Sequence, residues 1–373
     1  MNEKQSALME QVDTPSLLLD LDIMEKNLQQ IAAFANEQQI CWRPHIKTHK
    51  CVEIAKRQIA LGAVGVTVAK VSEAEVMARA GIGDILIAYP LFSPMKLKKT
   101  VALLPLAKVT IAVDHPRQAE WIQQFLAESS VVLDVWIKID SGLRRCGVEP
   151  GRETVDLAKA VSKHPNLRLT GLFTHAGHSY AADSIAKIEE IGRLEGQAVA
   201  ESADWCEREG ILIKHRSAGS TPTFRYCGRV PGITEIRPGN AVFFDAVQVG
   251  LGTATFEQCA LSVLGSVVSM HGNDRLVLDT GSKSLSLEQG AHGNATVKGF
   301  GHVVGHPEVF LSRLSEEHGI AEIHSATELT LGDRVQIIPN HACTVANLFD
   351  SYVLHRRGTV VGEWKVDARG KVQ

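Results

Sequence analysis

The chain has 373 residues and a formal net charge of -3, so it is long enough for a large α/β unit with a smaller partner domain. The nearly balanced charge gives no electrostatic signature of nucleic-acid binding. The seven cysteines are scattered without a CxxC pair, and no apolar run is long enough for a signal sequence or membrane span. We therefore expect a soluble cytoplasmic protein with reduced thiols and with neither nucleic-acid nor membrane partners.

Short apolar, β-branched segments alternate with amphipathic segments at a spacing of about 20 to 40 residues. This alternation is typical of repeated βα units. The eight segments that we predict as strands span residues 40–43, 64–68, 84–88, 108–113, 131–139, 167–174, 212–217 and 233–237. Eight such strands predict a closed (β/α)8 barrel of the TIM type over residues 24–250.

After about residue 251 the pattern changes to strands without long helices between them. The predicted strands here span residues 260–270, 275–279, 295–299, 334–338 and 360–365. They indicate a second, mostly β domain over residues 251–373. We assign residues 1–23 to the same domain, because residues 14–22 precede the first helix and are expected to pair into the β domain instead of the barrel.

Polar residues fall at the predicted carboxyl ends of the barrel strands, where such barrels place their chemistry. They are Lys47, Tyr89, Asp114, Asp140, Arg145, His175, Tyr180, and the stretches 217–221 and 237–240. Lys47 is the most informative, since apolar walls lower the pKa of an ammonium group and the neutral amine can attack a carbonyl or hold an aldehyde as an imine. Taken alone, the Lys/His-rich octamer 43–50 is also typical of a basic surface cluster.

Residues 217–221 read Ser-Ala-Gly-Ser-Thr and precede a predicted helical start at Pro222. Their backbone N–H groups, small side chains and hydroxyls suit a phosphate at a helix N-terminus near the last barrel strands. The same composition suits an ordinary helix cap. Both interpretations stay open for this loop alone.

Six motifs occur in one order along nearly the whole chain. They are Thr14-Pro15, Arg43-Pro44-His45-Ile46-Lys47-Thr48, and the stretches 139–147, 174–180, 218–223 and 235–240. Together they resemble the fold-type III pyridoxal-phosphate enzymes of the alanine racemase barrel, and within them the D-serine dehydratase and D-threonine aldolase family.

This resemblance implies pyridoxal 5'-phosphate as cofactor, with Lys47 binding its aldehyde and removing the substrate α-proton. It implies a phosphate cup formed by Gly219, Ser220, Thr221, Gly239 and Asn240. It sets His175 against the pyridine ring and Arg145 near the phenolic oxygen; a core histidine and an ion pair with Asp140 are the respective alternatives. It sets Tyr180 opposite the pyridine nitrogen, where a neutral partner leaves the ring a weaker electron sink. The reaction then needs help elsewhere.

His341 and Cys343 are two residues apart, so on a strand both side chains would point to the same face and could hold one divalent metal. A lone HxC is otherwise typical of a partly buried histidine and cysteine. The resemblance implies a metal pair here, and an imidazole with a thiolate favours zinc over manganese or magnesium. Such a metal would polarise the substrate β-hydroxyl. His318 either contacts substrate or pairs with a glutamate.

The resemblance implies a lyase acting on D-3-hydroxy amino acids, by β-elimination of water to a 2-oxo acid and ammonia. The alternative is a D-threonine aldolase, which cleaves its substrate to glycine and an aldehyde; Cys343 favours the dehydratase, because the better-known aldolases carry an aspartate there. An amino-acid racemase would need a β-domain tyrosine as second base, for which we find no match, and the metal motif argues against a non-catalytic cofactor-binding protein. A barrel mouth that faces a β domain favours a homodimer.

Overall fold

The computed structural model describes residues 11–290 and 293–373. Strand β1 (Ser16–Asp20) precedes the barrel. The barrel strands β2 to β9 span Cys41–Trp42, Val66–Val68, Asp84–Ile87, Lys108–Val113, Leu133–Ile139, Leu167–Thr174, His215–Ala218 and Glu235–Ile236. They form one parallel sheet in the order β2-β9-β8-β7-β6-β5-β4-β3. The sheet closes because Ile46 N–H donates to the Thr67 carbonyl at 2.9 Å and Thr67 N–H donates to the Pro44 carbonyl at 2.8 Å. The predicted barrel is confirmed.

Helices follow most of the barrel strands. The longer ones span Leu21–Glu37, Val52–Ala60, Val71–Arg79, Pro94–Ala102, Pro116–Leu126, Arg152–Ser162 and Ile185–Arg208. Short helical turns span Gly177–Ala181, Phe224–Cys227, Asn240–Val242, Ala246–Gly250, Phe256–Gln258, Ser282–Leu285 and Ala342–Ala346. Strand β6 is buried along its whole length, as expected where helices cover one face of a parallel sheet and side chains fill the other. In the part of the chain that the structure describes, no helix has the length and apolar character needed to cross a membrane.

The second sheet is mostly antiparallel. Its strands β10 to β17 span Leu261–His271, Arg275–Leu278, His302–Val303, Val309–Leu314, Gly319–Ile323, Arg334–Ile338, Ser351–Arg356 and Thr359–Lys365. Strand β1 lies between β10, to which it is antiparallel, and β16, to which it is parallel. This confirms that the segment before the first helix pairs into the β sheet. The assignment of residues 1–10 lies outside the described residues, and the boundaries at residues 23 and 251 stay predictions.

The predicted strand at 295–299 is wrong. Asn294 accepts hydrogen bonds from both the backbone N–H and the hydroxyl of Thr296, at 2.9 and 3.0 Å, which holds the backbone in a turn. The antiparallel hairpin of β13 and β14 and the strands β12 and β16 were not predicted from the sequence. These strands are short or only partly buried, so their apolar pattern is weak.

Candidate active site

A cavity of about 610 Å³ opens at the carboxyl ends of the barrel strands. Every residue that the sequence assigned to cofactor or metal lines it: Lys47, Arg145, His175, Tyr180, Gly219, Ser220, Thr221, Gly239, Asn240, His341 and Cys343. Further lining residues include His45, Thr48, Asp114, Lys138, Phe173 and Arg237. The structure therefore brings together Lys47, a small-residue loop and the HxC motif.

Lys47 follows β2, in the segment where His45 bridges to Thr67 of β3. The backbone N–H of Lys47 donates to Nδ1 of His45 at 3.4 Å. Burial lowers the pKa of the Lys47 amine, although the negative charge of the nearby Cys343 opposes this shift. A lowered pKa increases the fraction of neutral amine, which is the nucleophilic form.

The cavity wall carries an excess of positive charge. Lys138, Arg145 and Arg237 line it together with Lys47, whereas Asp114 is the one carboxylate among the lining residues. The guanidinium of Arg237 is held in place, since it donates to Ser217 Oγ at 2.5 Å and to the Thr174 carbonyl. Such a wall favours an anionic ligand.

Two of the three histidines that line the cavity, His45 and His175, favour the neutral form. Burial, reinforced by the charge of Lys47, sets the pKa of both His45 and His175 well below the usual value. His175 lies at the cavity wall, which supports its expected place against a bound ring over the alternative of a core histidine.

Three backbone N–H groups on the cavity wall are available to a phosphate. Those of Thr221, Gly239 and Asn240 donate no hydrogen bond within residues 11–290 and 293–373. The two segments are adjacent, since Ala241 N–H donates to the hydroxyl of Thr221 at 3.0 Å. Unpaired backbone donors on neighbouring loops match the oxygens of a phosphate group.

The remaining donors of the predicted phosphate cup are already paired within the protein, and their part in binding phosphate stays a prediction. The backbone N–H of Gly219 donates to Glu195, that of Ser220 donates to Thr223, and the side-chain amide of Asn240 donates to Asp245. The helix after this loop is a single turn that begins at Phe224, not at Pro222. Loop amides, and not a helix N-terminus, are thus the available donors.

Glycine is required at two positions of these loops. Gly219 has φ +96°, and a Cβ there would lie 2.9 Å from Sγ of Cys227. A Cβ on Gly239 would lie 2.8 Å from the carbonyl oxygen of His45, which is backbone and cannot move aside easily. The two loops therefore approach these neighbouring residues more closely than any larger residue permits.

Glu195 is a buried residue that the sequence analysis missed. Its Oε1 accepts from the N–H groups of Ala176 and Gly219 at 3.0 Å each, and its Oε2 accepts from the Thr223 hydroxyl at 2.7 Å. Burial raises the pKa of Glu195, and the hydrogen bond from Thr223 opposes that shift. Its position in the long helix Ile185–Arg208 gave no signal, because charged residues on such helices are usually solvated. Glu195 joins the His175 loop to the phosphate loop.

Tyr180 is a neutral phenol in this cavity. Burial and the charge of Cys343 raise its pKa well above the usual value, against hydrogen bonds with Gln248 and Thr221. This protonation state agrees with an uncharged partner for a ring nitrogen.

Arg145 forms no ion pair with Asp140 in the described part of the chain; Asp140 Oδ1 instead accepts from the backbone of Gly142 at 2.9 Å. The alternative interpretation of Arg145 is wrong.

The HxC motif does not lie on a strand, so the strand geometry predicted for it is wrong. His341 precedes the short helix Ala342–Ala346 and Cys343 is its second residue, yet both side chains line the cavity. Burial alone would raise the pKa of the Cys343 thiol, but the charges of His341 and Lys47 outweigh it, and the pKa is lowered. The lowered pKa favours the thiolate, which is the form that binds metals.

Asp245 lies behind His341 and was also missed. Its Oδ2 lies 3.3 Å from Nδ1 of His341, an ion-pair distance without hydrogen-bond geometry, and accepts from Ala342 N–H at 2.9 Å. A carboxylate on one ring nitrogen orients the other nitrogen toward a metal. The described residues contain no cluster of three or more His, Cys, Asp and Glu side chains suited to a metal. A metal here would have two protein ligands, with water or substrate oxygens completing its shell.

His318 fits neither of its two interpretations. It is not a lining residue of the cavity, and within the described ranges it forms no ion pair with a glutamate. Its Nδ1 instead lies 3.5 Å from the hydroxyl of Ser315, at the turn between β13 and β14.

Comparison with known proteins agrees with this fold and site. Residues 19–247 match the alanine racemase N-terminal domain, and residues 260–355 match a serine dehydratase domain. The chain is 32% identical to D-threonine aldolase of Arthrobacter sp. over 363 residues, 96% of this chain and 93% of that protein. It is 34% identical to D-threo-3-hydroxyaspartate dehydratase of Delftia sp. over 357 residues, 91% and 93% of the two chains.

A solved structure of D-threo-3-hydroxyaspartate dehydratase, a cysteine-to-alanine variant in the metal-free form, matches with a TM-score of 0.89 and 31% identity over 96% of this chain and 98% of that chain. The barrel and its lysine-bearing cavity define a pyridoxal-phosphate enzyme of fold type III. The chain belongs to the family of the alanine racemase N-terminal domain, and its relatives confirm the expectation of a lyase.

Proposed function

We propose that the protein is a pyridoxal-phosphate- and divalent-metal-dependent lyase that removes water from D-3-hydroxy amino acids such as D-serine or D-threonine. The products are a 2-oxo acid and ammonia. One observation carries the proposal: the amine of Lys47 and the His341–Cys343 pair line the same cavity, and the charge of Cys343 acts directly on that amine. A base for the α-proton and a site for activating the β-hydroxyl are thus close together.

The cavity residues fit pyridoxal 5'-phosphate. The free backbone donors of Thr221, Gly239 and Asn240 would hold the phosphate. His175, Arg145 and Tyr180 would surround the ring. When bound, the cofactor supplies an aldehyde that takes up amino groups covalently and a ring that withdraws electrons from the α-carbon.

Lys47 performs two tasks in this proposal. Its lowered pKa makes the amine available as the nucleophile that binds the aldehyde. The same amine would serve as the base for the α-proton of a cofactor-bound substrate. Tyr180 keeps its own proton, so it places no negative charge at the ring nitrogen. The leaving hydroxyl must therefore be activated from another direction.

His341 and Cys343 would hold the metal that activates the hydroxyl. An imidazole with a thiolate favours zinc, which would act there as a Lewis acid toward the substrate β-hydroxyl. Asp245 would orient the ring of His341 for this purpose. The metal-free form of a cysteine-to-alanine variant in a relative supports a cysteine as ligand.

Retro-aldol cleavage is the second candidate, because D-threonine aldolase of Arthrobacter sp. is similar over nearly the whole chain. In that reaction a base takes the β-hydroxyl proton and the Cα–Cβ bond breaks. A racemase is disfavoured, since the β-sheet tyrosine Tyr352 is fully buried, its hydroxyl donates to the His49 carbonyl at 2.6 Å, and it is not a lining residue of the cavity.

Incubation with D-threonine separates the two lyases. We expect 2-oxobutanoate and ammonia in equal amounts; glycine with acetaldehyde would establish the aldolase instead.

The proposal includes a homodimer, because a second copy would cover the cavity mouth between the barrel and the β sheet. Light scattering that gives the mass of one chain would exclude that part alone.

A further inference from the structure

We propose that Thr48, the residue after Lys47, is a positioning residue of the metal site that holds and stabilises the thiolate of Cys343. This inference rests on the proposed function, because it concerns the ligand of the metal. It assigns a role to the segment that carries the catalytic lysine: the same turn of chain presents the amine to the cofactor and a hydroxyl to the metal ligand.

The contact between the two side chains is direct and buried. Thr48 is 1% exposed, and its Oγ1 lies 3.1 Å from Sγ of Cys343. A metal-bound cysteine sulfur is deprotonated, so in the metal-loaded site the hydroxyl would be the donor. The sulfur also has a side-chain hydrogen bond with His341, the other proposed metal ligand, and Nδ2 of Asn240, which donates to Asp245 at 2.6 Å, lies 4.0 Å away. Thr48 is therefore a hydrogen-bond donor to this sulfur that is not itself a proposed metal ligand.

The backbone on the C-terminal side of Thr48 is fixed from the β sheet and the C-terminal segment. The carbonyl of His49 accepts from the Tyr352 hydroxyl at 2.6 Å, and the carbonyl of Lys50 accepts from Ala368 N–H at 2.9 Å. The Val52 N–H donates to Asp367 at 2.7 Å. With three such attachments within four residues, the Thr48 hydroxyl is held in place before any metal binds.

A pre-positioned donor strengthens the metal site in two ways. It keeps the sulfur in one orientation, so less freedom is lost when the metal binds. It also stabilises the negative charge that remains on a bound thiolate. Residues that act on a ligand in this way typically change metal affinity by about 10–100-fold when replaced.

The test compares zinc affinity of the cofactor-loaded enzyme by competition with a chelator of known affinity. Thr48→Val removes the hydroxyl and keeps the branched shape, and we expect zinc binding about tenfold weaker, with the cofactor content unchanged. Thr48→Ser keeps the donor and should bind zinc as the wild type does. Thr100→Val is the matched control, since Thr100 is a fully buried threonine whose hydroxyl donates to a helix carbonyl.

Cobalt substitution gives a readout that does not depend on stability. Loss of the hydrogen bond raises the energy of the sulfur lone pairs, so the sulfur-to-cobalt charge-transfer band of Thr48→Val should move to lower energy. Thr48→Ala removes the same donor with a smaller side chain and serves if Thr48→Val fails to fold.

Each outcome has a distinct meaning. Wild-type zinc affinity and an unshifted cobalt band in the valine or alanine variant would overturn the role of Thr48 while leaving the proposed function intact. A wild-type enzyme that binds no zinc or cobalt would overturn the metal assignment itself, and with it this role.

Discussion

The hydroxyl of Tyr352 donates a 2.6 Å hydrogen bond to the carbonyl of His49, which connects strand β16 to the segment that carries Lys47. Both residues are fully buried. The contact spans about three hundred residues of sequence, from the first barrel strand to the last third of the chain. The β sheet therefore helps to position the segment that carries Lys47 as well as the HxC motif.

Tyr352→Phe should weaken both stability and proton transfer. The His49 carbonyl would be left buried without this partner, which costs about 1–3 kcal/mol of unfolding free energy. We expect slower exchange of the substrate α-proton with solvent deuterium at unchanged cofactor content. The control is Tyr226→Phe, because Tyr226 is a partly buried tyrosine that packs against the core. Equal α-proton exchange in wild type and Tyr352→Phe would show that the Lys47 segment is held adequately by its other contacts.

Borohydride treatment of the purified protein should fix the cofactor onto Lys47. The buried, low-pKa amine in the cavity is the expected site of covalent attachment. Lys50 is the natural comparison, because it is close in sequence but pairs with Glu73 at 3.2 Å. Peptide mass mapping that places the reduced cofactor on Lys50, or on no lysine, would refute the assignment.

Removal of the metal should abolish turnover and leave the cofactor in place. The groups proposed for the phosphate, Thr221, Gly239 and Asn240, are separate from His341 and Cys343. Turnover should return with zinc, and the cofactor absorption should persist throughout. Full activity in protein shown by elemental analysis to be free of metal would contradict the proposed role.

Cys343→Ala should separate the two halves of the elimination. One protein ligand remains, so the metal affinity should fall by more than about tenfold. Hydroxyl loss should then slow much more than α-proton exchange, because Lys47 is unchanged. The measurement runs deuterium exchange at the α-carbon of D-serine beside pyruvate formation. An equal fall in both rates would mean that the metal positions the whole substrate, and no fall in either would mean that Cys343 is not a ligand.

Glu195→Gln should weaken cofactor binding. The side-chain amide of glutamine has only one acceptor oxygen, so the hydrogen bond from the Thr223 hydroxyl to the charged carboxylate is lost. A hydrogen bond to a charged group is worth about 1.5–3 kcal/mol. About 1.4 kcal/mol corresponds to a tenfold change in affinity. Glu190→Gln, on the exposed side of the same helix, is the matched control. Fluorescence titration of the apoprotein with cofactor measures both. Equal affinity in the two variants would show that the loop keeps its shape without this carboxylate.

The barrel could be predicted from the sequence because several of its strands, such as β5 and β6, are buried along most of their length and form apolar runs. Residues 108–113 and 167–174 were predicted to the exact bounds of β5 and β7. The β sheet was predicted less well, since its outer strands are partly exposed. At residues 295–299 the local hydrogen bonds of Asn294 outweighed the strand propensity of Thr296 and Val297.

The site residues with a reactive group next to a recognisable motif could be predicted, and the residues that support them could not. Glu195 and Asp245 act through contacts with loops that are distant in sequence, and a carboxylate in a helix or turn carries no sequence mark of burial. Thr48 is a further example, because its partner Cys343 is 295 positions away. Only the folded chain shows which polar residues are paired.

The place of β1 between β10 and β16 has a consequence for biosynthesis. Leu17, Leu18 and Leu19 are completely or almost completely buried in the finished sheet. They leave the ribosome long before β16, which begins only at Ser351. At a synthesis rate of about 5–20 residues per second, this leucine strand waits on the order of tens of seconds for its parallel neighbour. During that interval an apolar, unpaired strand edge is exposed to other nascent chains. We therefore expect the yield of correctly assembled protein to depend on chaperones that bind the amino-terminal segment.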